Sequence, residues 1–122
     1  MSNTEPYKLI VAGGRGYRDY DKIKELLSQR LENGDRFSVV SGMDKGAAIM
    51  GRQAALDLGF EVHEFSADRE KYRREAGFLR NAEMGLFGDR LLAFWDGKSR
   101  GTEHIINIME GIGKPVEIVR YG

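Results

Sequence analysis

The chain contains no cysteine, which excludes disulfides, thiolate metal sites and cysteine nucleophiles at one stroke. Its only histidines, His63 and His104, lie far apart in sequence. A metal centre would have to be built mostly of carboxylates, and no acidic residues cluster in a ligand pattern, so no metal is expected. Net charge is missing too, because 19 basic residues meet 19 acidic ones. That balance argues against non-specific nucleic-acid binding but leaves room for a small basic pocket. No apolar run is long enough to cross a bilayer, and MSNTEPYKLI at the start lacks the charged and apolar regions of a signal peptide. With 122 residues, 41% of them hydrophobic, the expectation is one soluble cytoplasmic domain with its own core.

What is present is a regular alternation of short apolar runs and helical patterns. Tyr7 to Ala12 reads as a buried strand running into Gly13-Gly14. Ile23, Leu26, Leu27 and Leu31 then recur at helical spacing, with Asp19 or Asp21 as cap and Asn33-Gly34 as stop. Phe37 to Val40 is a second strand. A helix from Gly46 to Leu58 carries Ala47, Gly51, Ala54 and Ala55 on one side, small enough for close packing on a sheet. Phe60 to Phe65 reads as the third strand, followed by the polar connection SADREKYRRE and a helix from Glu75 to Phe87. Leu91 to Trp95 is the fourth strand. Ile105, Ile108, Met109 and Ile112 stripe the last helix, and Val116 to Val119 is the fifth strand. The pattern predicts an α/β fold: a single Rossmann-like three-layer domain with a mostly parallel five-stranded sheet and helices on both faces.

In such a sheet ligands bind beyond the carboxyl ends of the strands. The loops there are GGRGYRDY, SGMDKGA and DGKSRGT, each rich in glycine and each carrying a basic residue. Glycines let backbone amides approach an anion, and the next helix N-terminus adds its dipole. Two familiar phosphate motifs fail here. The dinucleotide fingerprint would need glycine at Asp19 and an acid at the end of the second strand; the Walker A loop would need glycine at Leu92. The charge run Arg69, Lys71, Arg73 and Arg74 reads as a solvated face, Trp95 as core or pocket wall, and His63 as structural.

The segments GGR at 13–15, SGMDKGA at 41–47, SADREKYRREAGFLRNAEM at 66–84 and DGKSRGT at 96–102 together resemble the YspA-like branch of the SLOG superfamily. These Rossmann-like domains are related to the DNA-processing protein DprA and to the LOG phosphoribohydrolases. The resemblance implies a nucleotide or NAD/ADP-ribose-derived ligand, bound without further cofactor. The ligand-binding residues it implies are Gly13, Gly14 and Arg15; Ser41, Gly42, Met43, Lys45 and Gly46; Arg80 and Asn81; and Asp96, Gly97, Ser99, Arg100, Gly101 and Thr102. The LOG enzymes cleave an N-glycosidic bond with the glutamate of a PGGxGTxxE pattern. Aligning Gly101-Thr102 puts that position at Ile105, and Glu103 lies about 200° from it around a helix axis. An aspartate common in the branch after its G-A pair is replaced by Ala48.

The leading expectation is therefore non-enzymatic binding, for sensing or sequestration, with no catalytic residue assigned. A LOG-like nucleoside-monophosphate hydrolase using Asp96 or Glu103 is the alternative, and DprA-like single-stranded DNA binding the further one. Ile106, off the main apolar stripe, is assigned to a face where a second copy could dock.

Overall fold

A computed structural model describes Glu5 to Gly122; the first four residues of the domain assigned from sequence lie outside the described residues. Strands β1 (Tyr7–Gly13), β2 (Phe37–Ser41), β3 (Val62–Glu64), β4 (Arg90–Trp95) and β5 (Val116–Arg120) form one sheet. Their spatial order is β3-β2-β1-β4-β5, and every neighbouring pair is parallel. The helices are α1 (Tyr20–Glu32), α2 (Ala47–Asp57), the short α3 (Arg69–Tyr72), α4 (Ala76–Phe87) and α5 (Arg100–Gly111). A single 3-10 turn, Arg73–Glu75, joins α3 to α4.

Strand residues point alternately to the two faces, so the sheet separates two cores. Leu9, Val11, Val39, Leu92 and Phe94 pack under α1 and α2 with Ile23, Leu27, Ala54 and Ala55. Ile10, Val40, Leu91 and Ala93 pack under α4 and α5 with Met84, Ile105, Ile106 and Met109. The predicted three-layer domain is the one observed. Helix α2 lies close over β1 because Gly51 has no side chain: a Cβ there would stand 2.5 Å from Val11 Cγ1. The chain leaves β1 toward one face and leaves β4 toward the other. The crevice between those adjacent strands is the switch point at which α/β sheets hold ligands.

Four local expectations are corrected. The third strand is shorter than Phe60–Phe65, since the Phe60 amide donates to Ala55 O to close α2 while its ring packs against Phe37. The connection after β3 is partly helical, with Asp68 capping α3 by accepting from the Lys71 amide. Helix α4 starts at Ala76, after the 3-10 turn. The buried stripe of α5 is Thr102, Ile105, Ile106 and Met109, rotated from the one predicted. Ile106 is 4% exposed inside the second core, while Ile112 is 47% exposed. Sheet and α4 cover α5 from two sides, so Ile106 is not available to a second copy.

Candidate functional site

A cavity of about 240 Å³ opens at the carboxyl ends of β1, β2 and β4. Three of its walls come from the glycine-rich loops, through Gly13 and Arg15, Gly42 and Asp44, and Ser99, Gly101 and Thr102. The fourth wall is the segment after β3, which folds back over the sheet and contributes Arg69, Arg74, Gly77, Phe78, Arg80, Asn81 and Met84. Ala12, Ala48 and Ile105 complete the lining.

Arg80 is the structural centre of this wall. It is 7% exposed, and its guanidinium donates to Gly42 O at 2.6 Å, Asp44 Oδ2 at 2.8 Å and Asn81 Oδ1 at 3.0 Å. Gly42 allows the approach, since a Cβ there would be 3.0 Å from Arg80 Cδ, Nε and Cζ. Arg80 thereby ties α4 to the loop after β2. The amide of Asn81 continues the chain of bonds, donating toward Gly101 O and His104 Nδ1, both at 3.2 Å.

Proton bookkeeping settles the tautomer of His104. Arg80 Nε can only donate, so Asn81 presents its oxygen there and its NH2 group to α5. His104 Nδ1 is therefore an acceptor, and the neutral ring carries its proton on Nε2. Burial pushes the pKa of this ring below the ordinary histidine value, in the direction the geometry requires.

The cavity is basic although the chain is neutral. Four arginines, Arg15, Arg69, Arg74 and Arg80, face one carboxylate, Asp44. Asp44 pairs with Arg80 and lies 3.8 Å from Arg69. The side chains of Arg15 and Arg74 make no ion pair or hydrogen bond among the described residues. Like charges crowded on one concave surface raise each other's energy and lower that of an anion placed between them. The N-terminus of α5 adds to this field. Ser99 caps that helix, its hydroxyl 3.1 Å from Thr102 Oγ1 and 3.5 Å from the Thr102 amide. Beside Gly101 a Cβ would meet nothing within 4 Å, so the first turn is open to a ligand.

The residues assigned from sequence divide into two groups. Gly13, Arg15, Gly42, Arg80, Asn81, Ser99, Gly101 and Thr102 line the cavity; Gly14, Ser41, Met43, Lys45, Gly46, Asp96, Gly97 and Arg100 do not. The second group has structural work. The Ser41 hydroxyl is fully buried, donating to Ala48 O and accepting from the Met43 amide. Gly46, at φ 95°, packs against Gly14 and Arg15, and a Cβ there would lie 2.7 Å from Arg15 Cα. Gly14 carries the loop contacts inward, its carbonyl accepting from the Tyr17 and Ala47 amides. Asp96 closes its own turn by accepting from the Lys98 and Ser99 amides at 2.8 Å, and these bonds lower its pKa. Gly97, at φ 84°, leaves space for the Arg120 side chain. Met43 takes φ 66°, while Lys45 and Arg100 are exposed.

Asp44, Arg69, Arg74 and Phe78 were missed by sequence reasoning. The charge run read as a solvated face sends Arg69 and Arg74 to the cavity, and only Lys71 and Arg73 stay away from it. The turn that does this passes through Arg73 at φ 51°, a conformation its sequence does not advertise. Ile105 lines the cavity, whereas Glu103 is exposed and does not. Trp95 also lies off the cavity, donating to Ser99 O with the Arg120 guanidinium 5.3 Å from its ring centre. His63 meets Ser38, Glu61 and Phe87 elsewhere on the sheet.

Among the described residues no group of acidic or histidine side chains is arranged to hold a metal ion, and no helix is long and apolar enough to cross a membrane. Comparison with protein-family models, curated proteins and solved structures finds no match to this chain.

Proposed function

We propose that this domain binds, without turning it over, a phosphorylated nucleotide or a piece of one derived from NAD or ADP-ribose. The observation that carries the reading is a pair of arginines without partners among the described residues, Arg15 and Arg74, which line one cavity beside the open first turn of α5. A phosphate there would collect charge-assisted bonds from both guanidiniums and from helix amides. The cavity is slightly below the size range of about 300–1,000 Å³ usual for small-molecule sites, which suits a mononucleotide or one half of a dinucleotide.

The reading against catalysis rests on what faces the ligand. Glycosidic hydrolysis needs a carboxylate to stabilise the cationic sugar or to activate water. Among the described residues Asp44 is the only acid lining the cavity, and it is engaged by Arg80. Ile105 occupies the place where the LOG-like pattern would put its glutamate. The resemblance to the YspA-like SLOG domains agrees with this chemistry, and sensing or sequestration is the role we assign.

Native mass spectrometry of the purified protein, with thermal shift against pyrophosphate, nucleoside monophosphates and ADP-ribose, tests the proposal. Saturable binding should appear and should weaken at least tenfold in Arg15→Ala and Arg74→Ala, because each change removes a charged hydrogen-bond donor. No bound nucleotide and no shift with any of these compounds refutes it. Release of free base from a nucleoside monophosphate would replace it with the hydrolase reading.

A further inference from the structure

An aromatic side chain stands at the cavity mouth. Phe78 lines the cavity and is 49% exposed, and full burial of such a ring would stabilise the fold by about 1.5–3 kcal/mol. It sits on the shoulder of α4, one residue from Gly77 and three from Asn81, both of which face the same space. The imidazole of His104 meets its ring edge-on, with centroids 4.6 Å apart and planes 77° apart. His104 is itself held by Asn81, and Asn81 by Arg80. The bonds from buried Arg80 and Asn81 thus position a half-buried imidazole against one side of an aromatic ring whose remaining surface meets solvent and cavity.

The rest of the lining separates by chemistry. Arg15, Arg69 and Arg74 supply charge, Met84 and Ile105 reach the lining from the second core at 2% and 1% exposure, and Phe78 offers the accessible apolar surface. A ligand filling both regions must carry an anionic group and a flat apolar one. Building on the anion site proposed above, we propose that Phe78 is a stacking platform for the base of a nucleoside phosphate. It would determine specificity, separating nucleotides from sugar phosphates that satisfy the same arginines. Stacking of a base on an aromatic ring contributes through its π-face and tolerates any base. Phe78, not Trp95, is the aromatic residue positioned for it, since Trp95 does not line the cavity.

Isothermal titration of the full chain tests this with four nucleoside 5′-monophosphates, ribose 5-phosphate and pyrophosphate. The wild type should bind its preferred monophosphate at least tenfold more tightly than ribose 5-phosphate. Phe78→Ala should abolish that preference and leave the ribose 5-phosphate affinity within about twofold, while Phe78→Trp should retain it. Phe78→Leu keeps apolar bulk without a π-face and should behave like the alanine variant. Equal wild-type affinity for the two compounds overturns the platform while leaving the anion site standing. So does a Phe78→Ala loss that falls equally on both, or a Phe78→Leu variant with full nucleotide preference. Absence of wild-type binding to all six compounds instead removes the anion site on which the platform rests.

Discussion

Replacing Arg80 with alanine should destabilise the domain by about 2–4 kcal/mol, far more than the loss of any other cavity arginine. The side chain is 7% exposed and makes three charged hydrogen bonds, to Gly42 O, Asp44 Oδ2 and Asn81 Oδ1. Its removal strands two buried acceptors, the Gly42 carbonyl and the Asn81 amide oxygen. Each stranded acceptor costs about 1–3 kcal/mol, and the adjoining cavity admits water that holds the penalty to the lower half of that range. Asp44 adds less, because it is partly exposed and keeps Arg69 at 3.8 Å. Loss of packing by the buried stem brings the sum to the stated range. At roughly 4 °C per kcal/mol for a domain of this length, Tm should fall by about 8–16 °C. Urea denaturation followed by the fluorescence of Trp95, the single tryptophan, reads the change directly. Arg15→Ala and Arg74→Ala, whose side chains have no partner among the described residues, should stay within about 0.5 kcal/mol of wild type. If Arg80→Ala costs under about 1 kcal/mol, or if all three variants lose the same amount, the division between a structural arginine and two ligand-seeking ones is wrong.

Gly46→Ala should be destabilising by about 2 kcal/mol or more, because the position combines φ 95° with a Cβ 2.7 Å from Arg15 Cα; equilibrium unfolding checks it, and a neutral result would mean the two loops part easily. Stability should also depend on pH through His104, whose folded pKa is depressed by burial. The neutral ring's contribution is complete above the unfolded value of about 6.5 and is lost as pH falls through the lower folded value. The stability advantage of wild type over His104→Leu should therefore shrink between pH 7.5 and pH 5 in parallel denaturation series, and an advantage that grows on acidification would contradict the Nε2–H assignment.

The alternation of elements was legible in the sequence because a parallel sheet covered on both faces needs apolar strand runs and helices with one apolar side. Local rules also placed features that depend on near neighbours, such as Asp19 capping α1 and the small residues of α2 lying over β1. The glycine-rich loops pointed to the end of the sheet where the cavity opens, since strand direction alone decides where such loops gather. Composition could not divide their residues into those that line the cavity and those that hold the loops together. Ser41 and Asp96 have the right chemistry for a ligand but spend it on neighbouring backbone groups. Arg69 and Arg74 look solvated in a charge run, yet reach the cavity because the chain turns at Arg73 and doubles back. The order of apolar runs and glycine-rich loops was enough to dictate the layers, the strand directions and the end at which the cavity opens. Tertiary structure decided the net charge of the cavity, the role of Arg80 and the placement of Phe78. Those depend on which distant residues meet, and a neutral chain becomes locally basic only when folding brings four arginines to one carboxylate.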